Sequence, residues 1–133
     1  MSNVPPYVRH RILCEDVRPD PANPRRINIH GLLQAIRPLG SSALYPLRHS
    51  FAVYLMYTGG RGTGQGQVRV ESEATALPVY VGQLHAIPTD PDPLRVRAIA
   101  IHIAMCSFPQ AGLYWVQFWY NGQLSHQEPL MVG

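Results

Sequence analysis

Apolar and polar residues alternate along most of this chain, and clusters of proline and glycine interrupt the alternation at short intervals. A period of two residues is that of a β-strand, whereas an amphipathic helix repeats every three to four residues. Proline and glycine clusters mark the turns between such strands. The pattern therefore predicts an all-β protein, although the second half of residues 26–36 also fits helical spacing.

Eight segments show strand character, namely residues 7–17, 26–36, 47–58, 67–73, 75–85, 94–105, 113–120 and 123–132. Residues 75–85 are interrupted by Pro78 and Gly82, so they form either a short edge strand or a crossing segment. Asn121-Gly122 joins the last two segments and is a strong hairpin signal. We predict an antiparallel, immunoglobulin-like β-sandwich of about seven to eight strands. Residues 1–133 form one domain, with a loose tail over residues 1–6.

Charge is sparse, since charged residues are 14% of the 133-residue chain and the net charge is +3. No run of three basic residues occurs, which argues against a nucleic-acid partner. The N-terminus has no apolar core of a signal peptide, and no apolar stretch is long enough for a membrane span. We therefore expect a soluble, cytoplasmic protein that binds no membrane. A sparsely charged surface is also easy for a partner to cover.

No group of residues has the spacing of a catalytic or metal site. Glu15 and Asp16 are neighbours on a predicted strand, so they point to opposite faces and do not share a proton or a metal. The six histidines show neither the strand spacing nor the helix spacing of metal ligands. We predict no enzyme activity, no cofactor and no metal. The alternative requires His10, His49, Asp16 and Glu15 to converge in one pocket.

The two cysteines, Cys14 and Cys106, are distant in sequence and lack a local CxxC pair. In the cytoplasm we expect two reduced, buried thiols, and a zinc site that adds a histidine is the less favoured alternative. The glycine loop over residues 59–64 lacks the lysine and the helix start of a phosphate-binding loop. It is typical of a hairpin tip.

The segment 113–120 carries large aromatic residues on both of its faces. If Tyr114 packs inward, as in a tyrosine corner, then Trp115 and Trp119 point outward. We predict a binding surface on this outer face, to which the strand 47–58 contributes as a neighbour. Its residues are Trp115, Gln117, Trp119, Tyr54 and Met56. Tryptophan, tyrosine and methionine are enriched at the energetic centres of protein interfaces.

This surface predicts a non-enzymatic protein-interaction or structural module that binds a protein partner or forms a homo-oligomer. Two alternatives remain open from the sequence. The loop over residues 75–87 could fold over the outer face and bury it within one chain. The face could also bind a glycan or another small molecule, because tryptophan and tyrosine rings stack on apolar sugar faces.

Three stretches resemble an uncharacterised family of small bacterial β-sandwich proteins, a domain of unknown function. They are Cys14-Glu15-Asp16-Val17-Arg18, the strand 27–36 with Gly31 inside it, and Pro109-x-x-Gly112-x-Tyr114 continuing into Asn121-Gly122 and Pro129-Leu130-x-Val132. The last stretch is similar to the closing corner and hairpin of immunoglobulin-like domains. The resemblance implies a fold and no activity. Cys106 precedes the corner, so the inter-sheet disulfide of antibody domains is not supported here.

Overall fold

The structure, a computed structural model, describes residues 4–37 and 45–133. Within these residues the chain is all-β, with two sheets and no helix. The strands are β1 (Tyr7–Pro19), β2 (Ile27–Leu32), β3 (Ala35–Ile36), β4 (Leu47–Thr58), β5 (Gly64–Ser72), β6 (Pro78–Val81), β7 (His85–Ile87), β8 (Val96–Phe108), β9 (Gly112–Tyr120) and β10 (Gln123–Val132).

One sheet has four strands, in the order β2-β1-β4-β8, and every neighbouring pair in it is antiparallel. The other sheet has six strands, in the order β3-β10-β9-β5-β6, with β7 also paired to β5. In that sheet β3 runs parallel to β10, and the other pairs are antiparallel. The strands β4 and β9, which carry the predicted surface residues, therefore belong to different sheets.

The described residues contain ten strands, so the prediction of seven to eight was too low. The extra strands are short: β3 has two residues and β7 has three, which is too few to show a period. The predicted strand 26–36 divides into β2 and β3, which lie in different sheets. Gly31 adopts φ +64 near the division, and a Cβ there would lie 2.8 Å from Glu15 Cγ. A larger residue at position 31 would therefore be strained.

The hydrophobic core lies between the two sheets and follows the predicted alternation. The four-stranded sheet contributes Phe51, Val53, Leu55 and Tyr57 from β4 and Ile101, Ile103 and Phe108 from β8. The six-stranded sheet contributes Val68, Val70, Tyr114, Val116, Phe118, Tyr120, Leu130 and Val132. Phe108 and Tyr114 meet edge to face across the core, with ring centroids 4.9 Å apart. This packing orients every second residue of β9 outward.

A bulge in β1 changes which of its side chains enter the core. The register of β1 against β4 shifts between Val8 and His10, so one extra residue reverses the faces that follow. Val8 and Leu13 are buried in the main core, whereas Cys14 belongs to a second, smaller cluster. Val8 therefore faces the main core, whereas His10, Ile12 and Cys14 lie on the opposite side of β1, although strict alternation would put all four on one face. His10 is exposed.

The predicted loose tail is in part attached. Val4 forms an isolated antiparallel bridge with Arg61, and hydrogen bonds run in both directions between their backbones. Residues 1–3 of that tail lie outside the described residues. The glycine loop that pairs with Val4 joins β4 of one sheet to β5 of the other, so the prediction of a hairpin tip was wrong.

Candidate interaction surface

The outer side of the six-stranded sheet carries a continuous set of aromatic, amide and charged side chains. The pairing of β5 with β9 places Glu71 beside Trp115, Arg69 beside Gln117, and Gln67 beside Trp119. On the other side of β9, Gln127 is the partner of Gln117. We call this set the aromatic face: Gln67, Arg69, Glu71, Trp115, Gln117, Trp119 and Gln127.

Hydrogen bonds connect the side chains of the aromatic face. Trp119 Nε1 donates to Gln117 Oε1 at 3.0 Å, and Gln117 Nε2 donates to Gln127 Oε1 at 3.3 Å. Gln117 is only 5% exposed although it lies on an outer face. A buried amide with both ends bonded has one favoured orientation, and it holds the indole of Trp119 in place.

Arg69 completes the arrangement from the neighbouring strand. Its Cζ lies 4.3 Å from the ring centroid of Trp119, a cation–π distance. Its Nε donates to Gln67 Oε1 at 2.9 Å, and Gln67 Nε2 donates to the Gly82 carbonyl at 2.8 Å. Among the described residues no carboxylate lies within ion-pair distance of Arg69. The guanidinium is therefore held in place by uncharged neighbours.

Trp115 and Trp119 are half-buried, and neither belongs to the core between the sheets. Trp115 Nε1 donates to the carboxylate of Glu73, and Trp115 lies between Glu71 on β5 and Pro129 on β10. The outward orientation inferred from an inward Tyr114 is therefore present. The contacts that half-bury the two indoles come from neighbouring side chains in the same sheet.

The segment 75–87 does not cover this face in the structure. Its strands β6 and β7 pair with β5 on the side away from β9, so they extend the sheet at its edge. At this edge Val81 pairs with Arg69, and the Gly82 carbonyl accepts a hydrogen bond from Gln67. The structure therefore does not show the alternative in which a long loop buries the two tryptophans within one chain.

Tyr54 and Met56 lie elsewhere, and their placement beside Trp115 and Trp119 was wrong. Both are on β4, in the four-stranded sheet, so they lie on the opposite outer surface of the sandwich. Tyr54 packs against the small cluster of Cys14, Val17 and Ala52, and burial raises its pKa. The sequence predicted that the two strands are neighbours, but they belong to different sheets.

The acids and histidines considered for catalysis form separate pairs. Glu15 Oε2 lies 2.8 Å from His49 Nε2, and Asp16 Oδ1 lies 3.7 Å from His102 Nδ1. Arg18 bonds Asp16 and, as the largest cause, holds the pKa of that carboxyl below its usual range. His10 joins neither pair. No group of three or more metal-binding side chains is close enough to hold a metal within residues 4–37 and 45–133.

The two thiols are buried and unpaired with each other. Cys106 lies in the main core, and burial raises its pKa to about 12. Cys14 lies in the smaller cluster, and its pKa is also raised, mainly by burial. Thiols with raised pKa values are poor nucleophiles and poor metal ligands at neutral pH.

The sequence already predicted that Arg69, Glu71 and Glu73 point outward, since they alternate with Val68 and Val70. It missed their membership of the aromatic face because no local signal shows that β5 pairs with β9.

Comparison with protein-family models and with curated proteins finds no match to this chain. In the part of the chain that the structure describes, no helix is long and apolar enough to cross a membrane.

Proposed function

We propose that this protein is a non-enzymatic interaction module that self-associates through its aromatic face. The observation that carries the proposal is the network in which Arg69, Gln117 and Trp119 hold one another on the outside of a sheet. Side chains that are ordered before binding lose little conformational entropy when a partner covers them. Tryptophan and arginine are also the residues that most often dominate interface energetics.

The internal hydrogen bonds favour a protein surface over a glycan as the occupant. A sugar needs free donors and acceptors, but both ends of Gln117 are bonded within the face. A ring that stacks on a sugar needs an open face, and the guanidinium of Arg69 lies over Trp119. A surface whose polar groups already bond one another loses little when water leaves it.

The charges of the face favour a second copy of the same chain. In the described part of the chain Arg69 has no carboxylate partner, and Glu71 lies two residues further along the same outward side of β5. A two-fold axis that crosses the strands between these two positions sets Arg69 of one copy over Glu71 of the other. The symmetry makes this contact twice, and it stacks Trp115 of one copy over Gln117 of the other.

The proposal also includes two expectations from the sequence. The sandwich is of the immunoglobulin-like class, which is supported by the corner at Tyr114, whose hydroxyl donates to the Gln110 carbonyl at 2.6 Å. The location is cytoplasmic, which is supported by two buried thiols that lie in different clusters.

Charge reversal tests the self-association. Arg69→Glu sets two acids against two acids in the proposed pair, and Glu71→Arg sets two cations against two cations. Each variant alone should weaken association through the aromatic face by at least about tenfold, because like charges in contact cost several kcal/mol. An equimolar mixture of the two variants should restore the dimer as a heterodimer, measured by native mass spectrometry and sedimentation.

Two controls complete the design. Arg48→Glu changes an exposed arginine of the four-stranded sheet by the same charge and should leave the dimer unchanged. Trp115→Ala should weaken the dimer while the circular dichroism spectrum stays that of the parent. A wild-type chain that stays monomeric at every concentration, or a mixture that fails to dimerise where the wild type does, would refute the proposal.

A further inference from the structure

The outer edge of β8 is the long free edge of this sandwich. β8 has 13 residues, pairs with β4 on one side, and ends the four-stranded sheet. No strand of the described residues pairs with its other side. The backbone N–H and C=O groups of alternate β8 residues therefore point away from the sheet, where another strand can pair with them.

The other sheet edges among the described residues are short or contain glycine or proline, whereas β8 is long and contains neither. At the opposite end of the same sheet, β2 has six residues and contains Gly31 at φ +64. The six-stranded sheet ends in β3, which has two residues, and in β6, which has four and begins with a proline. Short strands, glycine and proline are the devices by which proteins prevent edge pairing. Of the described edges, β8 is the one from which all three are absent, and its one bulge lies toward the Phe108 end.

The residues of β8 also lack the charges that would keep another strand away. From Ala98 to Phe108 the strand contains no aspartate, glutamate, lysine, arginine or proline. Arg97, at its beginning, lies 3.8 Å from Asp90. Met105 at φ +50 accompanies the one bulge of the β4–β8 pair, close to the far end of the strand. The middle of the edge, from Ala98 to Ile103, pairs with β4 without a register shift and contains no aspartate, glutamate, lysine or arginine.

We propose that β8 pairs antiparallel with β8 of a second copy, about a two-fold axis near His102, so that two four-stranded sheets become one sheet of eight. A second copy fits best because the described edges other than β8 have two to six residues, so only another β8 matches its length. Antiparallel pairing also sets Arg97 of each copy near Ser107 of the other, so no like charges meet. A two-fold dimer pairs the β8 edge of each copy with that of the other, so no β8 edge stays free for a third copy to add to the sheet.

This interface is independent of the aromatic face, which lies on the other sheet. Amide hydrogen exchange resolved by residue tests it, with the native mass recorded on each sample. In monomeric samples one in two β8 amides should exchange quickly. In dimeric samples the same amides should exchange at least about tenfold more slowly, whereas the outward amides of β2 should not change. β8 amides that stay fast in dimeric samples, or a chain that never dimerises, would overturn the proposal.

A substitution at the proposed axis provides a second test. His102→Arg sets a permanent cation of each copy opposite that of the other at the two-fold axis, and should weaken the β8 pair at least threefold at low salt. High salt should restore the pair, because it screens exposed charges. His30→Arg on β2 is the matched control and should have no effect. Protection of β8 should persist in Arg69→Glu, which separates this interface from the aromatic face. Equal effects of the two arginine substitutions would refute the pairing.

Discussion

Gln117 provides the sharpest test of the order within the aromatic face. Replacing it by alanine removes the acceptor of the Trp119 indole N–H, bonded at 3.0 Å, and the donor to Gln127, at 3.3 Å. The shorter bond is worth about 1 kcal/mol and the longer one about 0.5 kcal/mol or less. Removing most of a side chain that is 5% exposed adds roughly 0.5–1 kcal/mol, because water can fill the space on an outer face. We therefore expect Gln117→Ala to lower the free energy of unfolding by about 2 kcal/mol.

Urea denaturation followed by tryptophan fluorescence measures this loss, and calorimetry should show Tm lower by about 6–10 °C. The matched control is Gln127→Ala, since Gln127 is exposed and loses only the longer bond. It should cost about 0.5 kcal/mol or less. Equal losses for the two variants would show that Gln117 does not organise the face. The argument for an interface ordered before binding would then fail with it.

Three further predictions concern the core. Tyr114→Phe should cost about 1 kcal/mol in urea denaturation, because it preserves the aromatic packing but removes the 2.6 Å bond to the Gln110 carbonyl and the weaker 3.4 Å bond from the Gln110 N–H. No change would refute the corner. Gly64→Ala should destabilise the protein by at least about 2 kcal/mol, since its Cβ would lie 2.2 Å from the Tyr120 ring. Gly59→Ala has open space around it and should cost only about 1 kcal/mol, because of the positive φ at that position. A larger loss for Gly59→Ala than for Gly64→Ala would contradict this. Burial raises the pKa of the Cys106 thiol from 9.0 to about 12, so this thiol should resist alkylation until the protein unfolds. The folded state holds the thiol proton more tightly than the unfolded state does, so the thiol's contribution to stability is complete below pH 9.0 and is lost as pH rises toward about 12. Denaturation measured across that pH range tests this.

At the aromatic face, the sequence indicated on which side of its strand a residue lies but not to which sheet the strand belongs. Trp115 and Trp119 were predicted to point outward from their alternation with Tyr114, and the structure places them on an outer face. Tyr54 was predicted to join them, and it lies on the other side of the molecule. Alternation assigns each residue to one of two faces of its own strand, but it contains no information on which strands share a sheet.

The sequence by itself determined the all-β class, the position of the longer strands and the inward residues of β4, β5 and β9, because these depend on local periodicity and turn chemistry. Only the tertiary structure decided the pairing of β5 with β9, and with it the meeting of Arg69 with Trp119. It also decided that β8 ends a sheet. Both depend on contacts between residues far apart in the chain, whose energy comes from packing between strands rather than from any local pattern.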